Sequence, residues 1–596
     1  MITCKINGKA VDIFEDMKIN VKIDNPMFSE NFINEGYSYS FSLPLTPKNK
    51  LLLAKSLKKE LTIFFKGILI IKAEIISFLE TNEGIDLNIF TDAKSIKKAC
   101  DETYLDELDL LEVSVCNSSD IPTTKITKWQ NYMNAHLLVD HEKTTHVFPV
   151  IKSTYNDNQS ASAEEKNDIF TNCGEFVNRC AFGSYLLNFA VPISVSKNNW
   201  VTSVMPCPKA NYILEKIFER FNIKIAYNEL DKITEYRQLY IENNYVLDKI
   251  EAYGANNYNV HGIGFNLKNH VPKATIFSFL QMLNELFDAC FIIIGNEVRI
   301  YTAKSLTEFK PKNVTKYASE TFNYDVNDVT GYSIIYDIPE DDVRYYKTPI
   351  SGIWPNQISL EPMKKVDYPS ENINNDEITL TSLPLMTGIN FNGVGFPRTY
   401  TEYGLTDDGL PNGSIYGQGQ WLSYAFTGRS TFLRSDEYPD NPIQEQIRMG
   451  CYRGVKETLQ PGFDPDGTYN PSLNTTTTHP FTFNYKRAYY WNQTPGDEIN
   501  IDYIFGESSI MMNGPDNAFY KYKKTKFNVL YGAKSKTKLL YLPLHELIEL
   551  MKWKNTKHVI QQKNESFKGF AKSISFTISN DGLSATEIAY VVQSND

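Results

Sequence analysis

The sequence predicts a β-dominated α+β protein made of several small β-barrel or sandwich domains with short helices, plus a Gly- and Asn-rich insert with long loops. The 596 residues include 37 Tyr and 35 Phe, and aromatic side chains favour the half-buried faces of sheets. Many segments alternate apolar and polar residues with the period of a strand. Turn-forming Gly, Asn and Asp residues separate these segments. A chain of this length holds roughly four domains.

Residues 1–105 form the first predicted domain, which is rich in strands. Tyr37–Leu43 alternates aromatic or apolar residues with serine. Leu61–Phe65 and Ile68–Ile71 flank a Lys-Gly turn, and Ile85–Ile89 gives a further alternating strand. Short paired strands with polar turns predict a small barrel or sandwich.

The next two predicted domains differ in their sequence patterns. Residues 106–205 are predicted to be a second β-rich domain, in which residues 152–166 form a flexible surface loop poor in apolar residues. Residues 206–310 contain two helix-then-strand units. Ala210–Phe221 and Ile276–Phe287 place apolar residues at helical spacing, and an alternating strand follows each of them.

Residues 311–510 are predicted to be a β insert rich in Gly, Asn, Thr and Tyr. Asp-Gly and Asn-Gly sequences mark its turns, and Thr475–Thr478 is interpreted as a polar loop tip. Long exposed loops of this kind commonly carry contacts to partners.

Residues 511–596 form the last predicted domain. Leu544, Leu547, Ile548 and Met551 predict a short amphipathic helix after Pro543, and proline suits the start of a helix. Ile574–Ile578 and Thr586–Val592 alternate as strands around an Asn-Asp-Gly turn, which predicts a hairpin.

Composition argues against several functional classes. The net charge of −11 gives no reason to expect a nucleic-acid-binding protein, which needs clustered Lys and Arg to contact phosphates. We expect no signal peptide and no membrane segment, because no apolar run approaches the roughly 18 residues that a membrane helix needs. The eight Cys are scattered without a CxxC pair, which predicts reduced, mostly buried thiols in a cytoplasm-like compartment.

Motifs for catalysis, cofactors or metals are weak, so no catalytic, cofactor-binding or metal-binding residue is predicted. His545–Glu549 begins like the helical HExxH zinc motif, but Glu549 replaces the second His, which favours a solvated helix. No phosphate-binding loop and no GxSxG elbow occurs. Other candidates are a histidine cluster, an acidic clump and two aspartate pairs, for which surface or turn roles are favoured: His136, His141 and His146; Asp337, Glu340, Asp341 and Asp342; Asp407 with Asp408; Asp464 with Asp466.

Ten lysines lie between Lys521 and Lys557, where the only acidic residues are Glu546 and Glu549. This charge could face an acidic neighbouring protein or DNA, or it could belong to a solvated hairpin and helix. An acidic protein partner or the solvated surface is favoured over DNA, since few aromatic residues are interleaved for stacking on bases.

Three passages together resemble a known family. They are Tyr212–Phe218 running into Ile223–Ile225, Val271–Phe287 running into Val298–Ile300, and the hairpin Ser573–Val592. Near the start, Phe41–Asn49 precedes a strand pair and a glycine as in the same family. The order resembles the tail-hub or baseplate proteins of tailed phages that infect Bacteroidetes, which are similar in plan to the hub proteins of contractile tails.

The resemblance implies a non-enzymatic structural protein of the virion tail, assembled in the bacterial host cytoplasm. It implies a homo-oligomeric ring, with a trimer favoured and six-fold rings also known, that joins tail-tube and tail-tip proteins and frames a channel for passing DNA. A hub from a host-encoded injection machine would share this architecture. The alternative from another class is a glycan-binding or glycan-cleaving surface protein acting through residues 311–510, where Trp354, Trp421 and Trp491 could stack on sugar rings.

Overall fold

The computed structural model is β-dominated with short helices, which confirms the predicted fold class. It describes residues 1–29, 31–34, 38–54, 59–138, 142–149, 151–153, 176–178, 180–181, 184–185, 199–200, 204–247, 250–253, 257–260, 263–294, 296–326, 331–336, 365–368, 375–381, 383–384, 386–390, 424–429, 434, 443–452, 455–460, 472, 475–480, 487–490, 501–504, 510, 518–530, 533–553, 556–563 and 565–592. Across these ranges, we find no helix with the length and apolar character that spanning a bilayer would take.

The α-helices are α1 (Pro47–Ala54), α2 (Asp92–Glu102), α3 (Pro122–Leu138), α4 (Ala210–Arg220), α5 (Thr234–Gln238), α6 (Ile276–Phe287), α7 (Ser305–Glu308), α8 (Lys524–Leu530) and α9 (Leu544–Met551). The strands are β1 (Ile2–Ile6), β2 (Lys9–Ala10), β3 (Lys18–Asp24), β4 (Ser38–Leu43), β5 (Glu60–Phe65), β6 (Ile68–Glu80), β7 (Ile85–Thr91), β8 (Glu112–Ser114), β9 (His146–Val147), β10 (Ile151–Ser153), β11 (Phe176–Val177), β12 (Cys180–Ala181), β13 (Ser184–Tyr185), β14 (Asn199–Trp200), β15 (Cys207–Pro208), β16 (Lys224–Asn228), β17 (Leu239–Glu242), β18 (Ile250–Tyr253), β19 (Asn257–Val260), β20 (Gly264–Asn266), β21 (Cys290–Ile294), β22 (Glu297–Tyr301), β23 (Lys312–Asn313), β24 (Ala318–Val326), β25 (Gly331–Tyr336), β26 (Lys365–Tyr368), β27 (Asn375–Leu380), β28 (Leu383–Pro384), β29 (Met386–Asn390), β30 (Tyr424–Arg429), β31 (Arg448–Cys451), β32 (Val455–Gln460), β33 (Thr475–Pro480), β34 (Arg487–Tyr490), β35 (Ile501–Ile504), β36 (Lys534–Leu540), β37 (Lys557–Gln562), β38 (Glu565–Ser579) and β39 (Thr586–Val592).

The N-terminal sheet is antiparallel and has the strand order β2-β1-β5-β6-β7-β4. Leu61, Ile63 and Phe65 alternate along β5 and are buried, as the period-two pattern predicts. Lys66 and Gly67 turn the chain into β6 with φ angles of 50° and 81°. These positive φ angles confirm the predicted turn. Glycine adopts such an angle without steric cost.

The C-terminal sheet contains strands from both ends of the chain. Its strands follow the order β23-β37-β38-β39-β36-β24, and β3 also pairs with β38. The β3–β38 pairing is antiparallel and extends from Lys18 opposite Ser579 to Asp24 opposite Ser573. The backbone N–H of Ile2 donates to Asn580 Oδ1 at 3.0 Å, in the turn of the predicted C-terminal hairpin. The two ends of the chain are therefore parts of one folded unit.

Three hydrophobic cores hold the described residues together. The largest surrounds α4 and α6 and reaches from Phe32 to Phe519. The second lies on the inner side of the C-terminal sheet around Trp553. The third packs the N-terminal sheet against β3, β38 and Leu547 of α9. Each core contains residues from both sides of the domain boundaries predicted near residues 105 and 511. The domain boundaries themselves stay predictions.

The two predicted helix-then-strand units lie side by side. Helix α4 leads into β16, and α6 leads into the hairpin β21–β22. Strands β16 and β22 pair in parallel, so the two units share one small sheet. The Thr275 side chain accepts a hydrogen bond from the N–H of Ser278 and caps α6. Asp288 ends α6 in the left-handed conformation, with φ at 51°.

Some sequence-based predictions need correction. The segment predicted to be a second β-rich domain contains the 17-residue helix α3, which begins at Pro122. Thr475–Thr478 lies in strand β33, paired with β32, and not at a loop tip. The prediction of a short helix after Pro543 is confirmed, because α9 begins at Leu544. Most of the predicted loop 152–166 lies outside the described residues.

Candidate functional site at the base of the insert

The predicted insert (residues 311–510) contacts helix α6 and strand β17 of residues 206–310, which we call the helical region. The contact is a group of polar side chains that are buried except for Thr381, which is half-buried. We call this group the insert base. It consists of Glu285 on α6, Asp288 directly after α6, Thr381 and Gln444 in the insert, and Lys523 just after the insert. These residues are far apart in the sequence, so the fold alone brings them together.

Glu285 is the point on α6 where the insert attaches. The apolar residues of α6 pack into the largest core, while the buried Glu285 carboxylate faces Thr381. Thr381 donates its backbone N–H to Oε2 at 3.0 Å and its hydroxyl to Oε1 at 2.8 Å. Gln281 donates a third hydrogen bond, at 2.9 Å. Burial raises the pKa of Glu285, and the Thr381 hydrogen bonds oppose that rise.

A second attachment joins β31 of the insert to β17. The strands pair antiparallel from Leu239 opposite Cys451 to Glu242 opposite Arg448, and all four residues are buried. Beside this pairing, Gln444 donates to the carbonyl oxygen of Glu242 at 3.0 Å. The backbone of the insert is therefore hydrogen-bonded into the helical region.

Gly450 allows this strand pair to approach closely. It lies opposite the fully buried Tyr240, and a Cβ at Gly450 would stand 2.4 Å from the Tyr240 hydroxyl oxygen and 2.5 Å from Cζ. A buried ring has no free space into which it can move, so a larger residue at position 450 forces the strands apart.

We expect Gly450→Ala to lower the free energy of unfolding by about 1–3 kcal/mol, the usual cost of overpacking a core. Urea unfolding followed by intrinsic fluorescence measures the change. The second substitution Tyr240→Leu should recover part of the loss, because it removes the ring atoms that the new methyl group meets. A Gly450→Ala protein with unchanged stability would contradict this account of the site.

Lys523 closes the insert base on the other side. Its ammonium group lies 2.8 Å from Asp288 Oδ1, and both side chains are only 8% exposed. Lys521 pairs with the buried Glu235 at 3.1 Å. Lys538 is also buried and donates to Gln562 at 2.8 Å. These three lysines of the predicted basic run are therefore paired with groups of the same chain, and they are unavailable to an acidic partner or DNA.

Two of the predicted histidine-cluster residues do come together, with a third that the sequence did not suggest. The rings of His136 and His146 have centroids 4.7 Å apart. The Tyr132 hydroxyl lies 3.0 Å from His146 Nε2, and Nδ1 of the buried His270 hydrogen-bonds the Tyr245 carbonyl oxygen at 3.1 Å. Burial lowers the pKa of His146 and of His270 to about 3 each. These histidines are packed among aromatic rings as neutral groups.

The other candidate residues give no assembled site. His545 is 77% exposed on α9, and its Nε2 lies 3.7 Å from Glu546. Within the described ranges, no three His, Cys, Asp or Glu side chains are placed to hold a metal ion. Six cysteines with described side chains are unbridged and buried, as predicted: Cys4, Cys100, Cys116, Cys207, Cys290 and Cys451.

Several predicted candidates lie outside the described residues. They are His141, the acidic clump of Asp337, Glu340, Asp341 and Asp342, the aspartates 407, 408, 464 and 466, and the tryptophans 354, 421 and 491. Sequence reasoning missed Glu285, Asp288 and His270. Glu285 and Asp288 are polar residues at the end of an apolar helix, and their partners lie 96 and 235 residues further along the chain.

Comparisons with known proteins give weak likenesses to solved structures. No protein-family model matches the chain, and no curated protein does. A 43 kDa tail protein of a Shewanella oneidensis prophage aligns at 8% identity over 99% of this chain and 98% of that chain, with a TM-score of 0.29. A tail protein from Neisseria meningitidis aligns at 7% identity over 99% and 95%, with a TM-score of 0.31. A prophage tail protein from Listeria monocytogenes aligns at 6% identity over 99% and 94%, with a TM-score of 0.28.

Proposed function

We propose that this chain is a non-enzymatic structural component of a phage tail, acting as a hub or baseplate protein of the virion. In this role it assembles into an oligomeric ring that joins the tail tube to the tail tip and frames the channel for DNA. The sequence resemblance motivates the proposal, and its three passages form two helix-then-strand units and a hairpin. Assembly takes place in the host cytoplasm, where the buried thiols of the chain stay reduced.

The observation that carries the proposal is the interlocking of distant chain segments. Strand β3 completes the C-terminal sheet through seven residue pairs with β38, so the N-terminal and C-terminal sheets share a core. The insert base then fixes the insert to the helical region through Glu285 and Lys523. Such long-range connections keep separate modules in fixed relative positions, which a load-bearing ring subunit requires.

A ring of three copies fits this architecture. Each copy contributes one large antiparallel sheet and one large mixed sheet, so a trimer places six sheets around one axis. Obligate rings of this type bury thousands of Å2 between subunits. The modest net charge of −11 leaves a lumen past which DNA slides without binding tightly.

We expect purified protein to form trimers with three times the subunit mass of 68.3 kDa in mass photometry, and to show a central opening in cryo-EM images. Mixing with the tail-tube protein of the same phage should add a second ring to the particle. A chain that stays monomeric at every concentration, with and without tail partners, would refute the ring proposal.

A further inference from the structure

One short segment near the start of the chain contributes to all three hydrophobic cores. We call this segment, residues 17–29 and 31–34, the strap. Its buried apolar residues belong, in chain order, to the third core, the second core and the largest core: Met17, Ile19 and Val21; Met27 and Phe28; Phe32 and Ile33. A single segment that enters three cores links the parts of the fold that those cores stabilise.

The first part of the strap is bound to strand β38 near the end of the chain. Strand β3, which belongs to the strap, pairs with β38 through seven residue pairs. On the exposed side of this pairing, the Thr577 hydroxyl donates to Asn20 Oδ1 at 2.6 Å. The backbone N–H of Asn25 donates to the carbonyl oxygen of Lys572 at 2.7 Å, and its side-chain amide donates to that of Ala571 at 2.9 Å. The strap is thus held to β38 by main-chain and side-chain hydrogen bonds.

The last part of the strap is bound to strand β21 in the helical region. The N–H of Phe291 donates to the carbonyl oxygen of Phe32 at 2.7 Å, and the N–H of Asn34 donates to that of Phe291 at 3.0 Å. The Asn34 side chain also accepts from the N–H of Ile293 at 2.8 Å and donates to its carbonyl oxygen at 3.0 Å. One segment therefore connects the C-terminal sheet to the helical region.

The partners of the strap lie far along the chain. Asn34 and Ile293 are 259 residues apart, and Asn20 and Thr577 are 557 residues apart. Closing a loop costs conformational entropy that grows with its length. Strands β5, β6 and β7, in contrast, pair with their neighbours in the sequence. Chains of this size commonly fold through intermediates in which such local units form first.

The N-terminal sheet lacks part of its cover until the strap and β38 are in place. In the third core, its buried face packs against Ile19 and Val21 of the strap, Phe576 and Ile578 of β38, and Leu547 of α9. Apolar surface that stays uncovered during folding promotes aggregation. The stability of the N-terminal sheet therefore depends on residues from the last part of the chain.

We propose that docking of the strap is the closing step of folding. The helical region and the other strands of the two large sheets form first, and the strap then binds β38 and fixes them in one arrangement. A chain that ends before β38 cannot take this step, so the strap distinguishes complete chains from incomplete ones. The inference goes beyond the proposed function and does not depend on it, because it concerns how a single chain reaches its fold.

Pulse-labelling hydrogen exchange, read by mass spectrometry, tests the order of events as the full-length chain refolds from urea. We expect the amides of β5, β6 and β7 to gain protection in an early phase. The amides of β3 should gain protection in the last phase, because their partners on β38 must first be brought across the long loop. Protection of β3 before β5–β7, or together with them, would overturn the proposal.

A covalent tether tests whether the last phase is the docking of the strap. Asn20→Cys and Thr577→Cys are combined in one chain, and dibromobimane joins the two thiols of the folded protein by thioether bonds that survive urea. The tethered chain should complete the last phase more than about tenfold faster than the same variant without the tether, because its long loop is already closed. The described native cysteines are buried, and dibromobimane treatment of the unsubstituted chain checks that they do not react.

A tether on the other side of β38 is the matched control. Ser575 and Glu587 lie opposite each other in the β38–β39 pairing, so Ser575→Cys with Glu587→Cys closes only the C-terminal hairpin and leaves the strap free. This tether should leave the rate of the last phase unchanged within about twofold. Circular dichroism confirms that each variant is folded. Equal acceleration by both tethers, or by neither, would overturn the proposal, because the last phase would then not be the docking of the strap.

Discussion

The protein is expected to lose several kcal/mol of stability when the pH falls from 7 to 4, because of two buried histidines. His146 is held between the Tyr132 hydroxyl at 3.0 Å and the Thr145 hydroxyl at 2.9 Å. His270 makes one hydrogen bond, to the Tyr245 carbonyl oxygen, and its Nε2 has no hydrogen-bond partner within the described structure. Both imidazoles are buried, and burial disfavours the charged, doubly protonated form at each site.

The sign of the effect follows from the direction of the shifts. Both histidines have a folded-state pKa of about 3, against 6.5 as the ordinary value. Their contribution is therefore fully present above pH 6.5, where neither state binds a proton. Between pH 6.5 and 3 only the unfolded chain takes up the protons, so stability falls as the pH falls. The loss is on the order of 5 kcal/mol per histidine when the pH reaches 3.

Urea unfolding at half-unit steps between pH 7.5 and 4 measures this dependence. The His146→Gln and His270→Gln variants should each lose less stability as the pH falls. In each variant, the slope of the free energy of unfolding against pH should decrease by the amount that one proton bound to the unfolded chain contributes. His545→Gln is the matched control, because His545 is 77% exposed and should leave the slope unchanged. If the His146→Gln and His270→Gln variants keep the full slope of the parent protein, other groups cause the acid sensitivity.

The sequence predicts those parts of the fold whose signals are local. Helix α6 shows apolar residues at helical spacing, Thr275 at its start and two alternating segments after it, and the helix, its cap and the strand pair β21–β22 are observed. Helix α3 also had a local signal that was missed. Pro122 stands at its first position, and Trp129, Tyr132, Met133 and His136 follow at helical spacing.

The candidate site could not be predicted, because its partners are distant in sequence. The position of Glu285 at the end of an apolar helix gives no sign that Thr381 will satisfy its carboxylate. The ten lysines between Lys521 and Lys557 show the same limit of prediction from sequence. A run of like charge predicts a surface, yet Lys523 and Lys538 are buried because Asp288 and Gln562 are brought to them by the tertiary fold.

Removing the Lys523 ammonium group should be among the most destabilising single changes in the chain. Lys523→Met leaves the Asp288 carboxylate buried without its cation, and breaking a buried ion pair in this way costs about 3–5 kcal/mol. Lys523 also lies within hydrogen-bonding distance of the carbonyl oxygen of Asn284, at 3.4 Å, near the C-terminal end of α6. Urea unfolding gives the stability, and limited proteolysis reports whether the insert separates from α6.

The partner variant separates the loss of charge pairing from the loss of packing. Asp288→Asn removes the buried charge and keeps a residue that tolerates the left-handed conformation at the end of α6. The double variant Lys523→Met with Asp288→Asn should therefore recover most of the stability that Lys523→Met loses. Lys524→Met serves as the matched control, because Lys524 is the next residue and its side chain is exposed. This substitution should change the free energy of unfolding by less than about 1 kcal/mol. If Lys523→Met is no more destabilising than Lys524→Met, the Lys523–Asp288 pair does not hold the insert base, and the insert is attached through Thr381 and β31 alone.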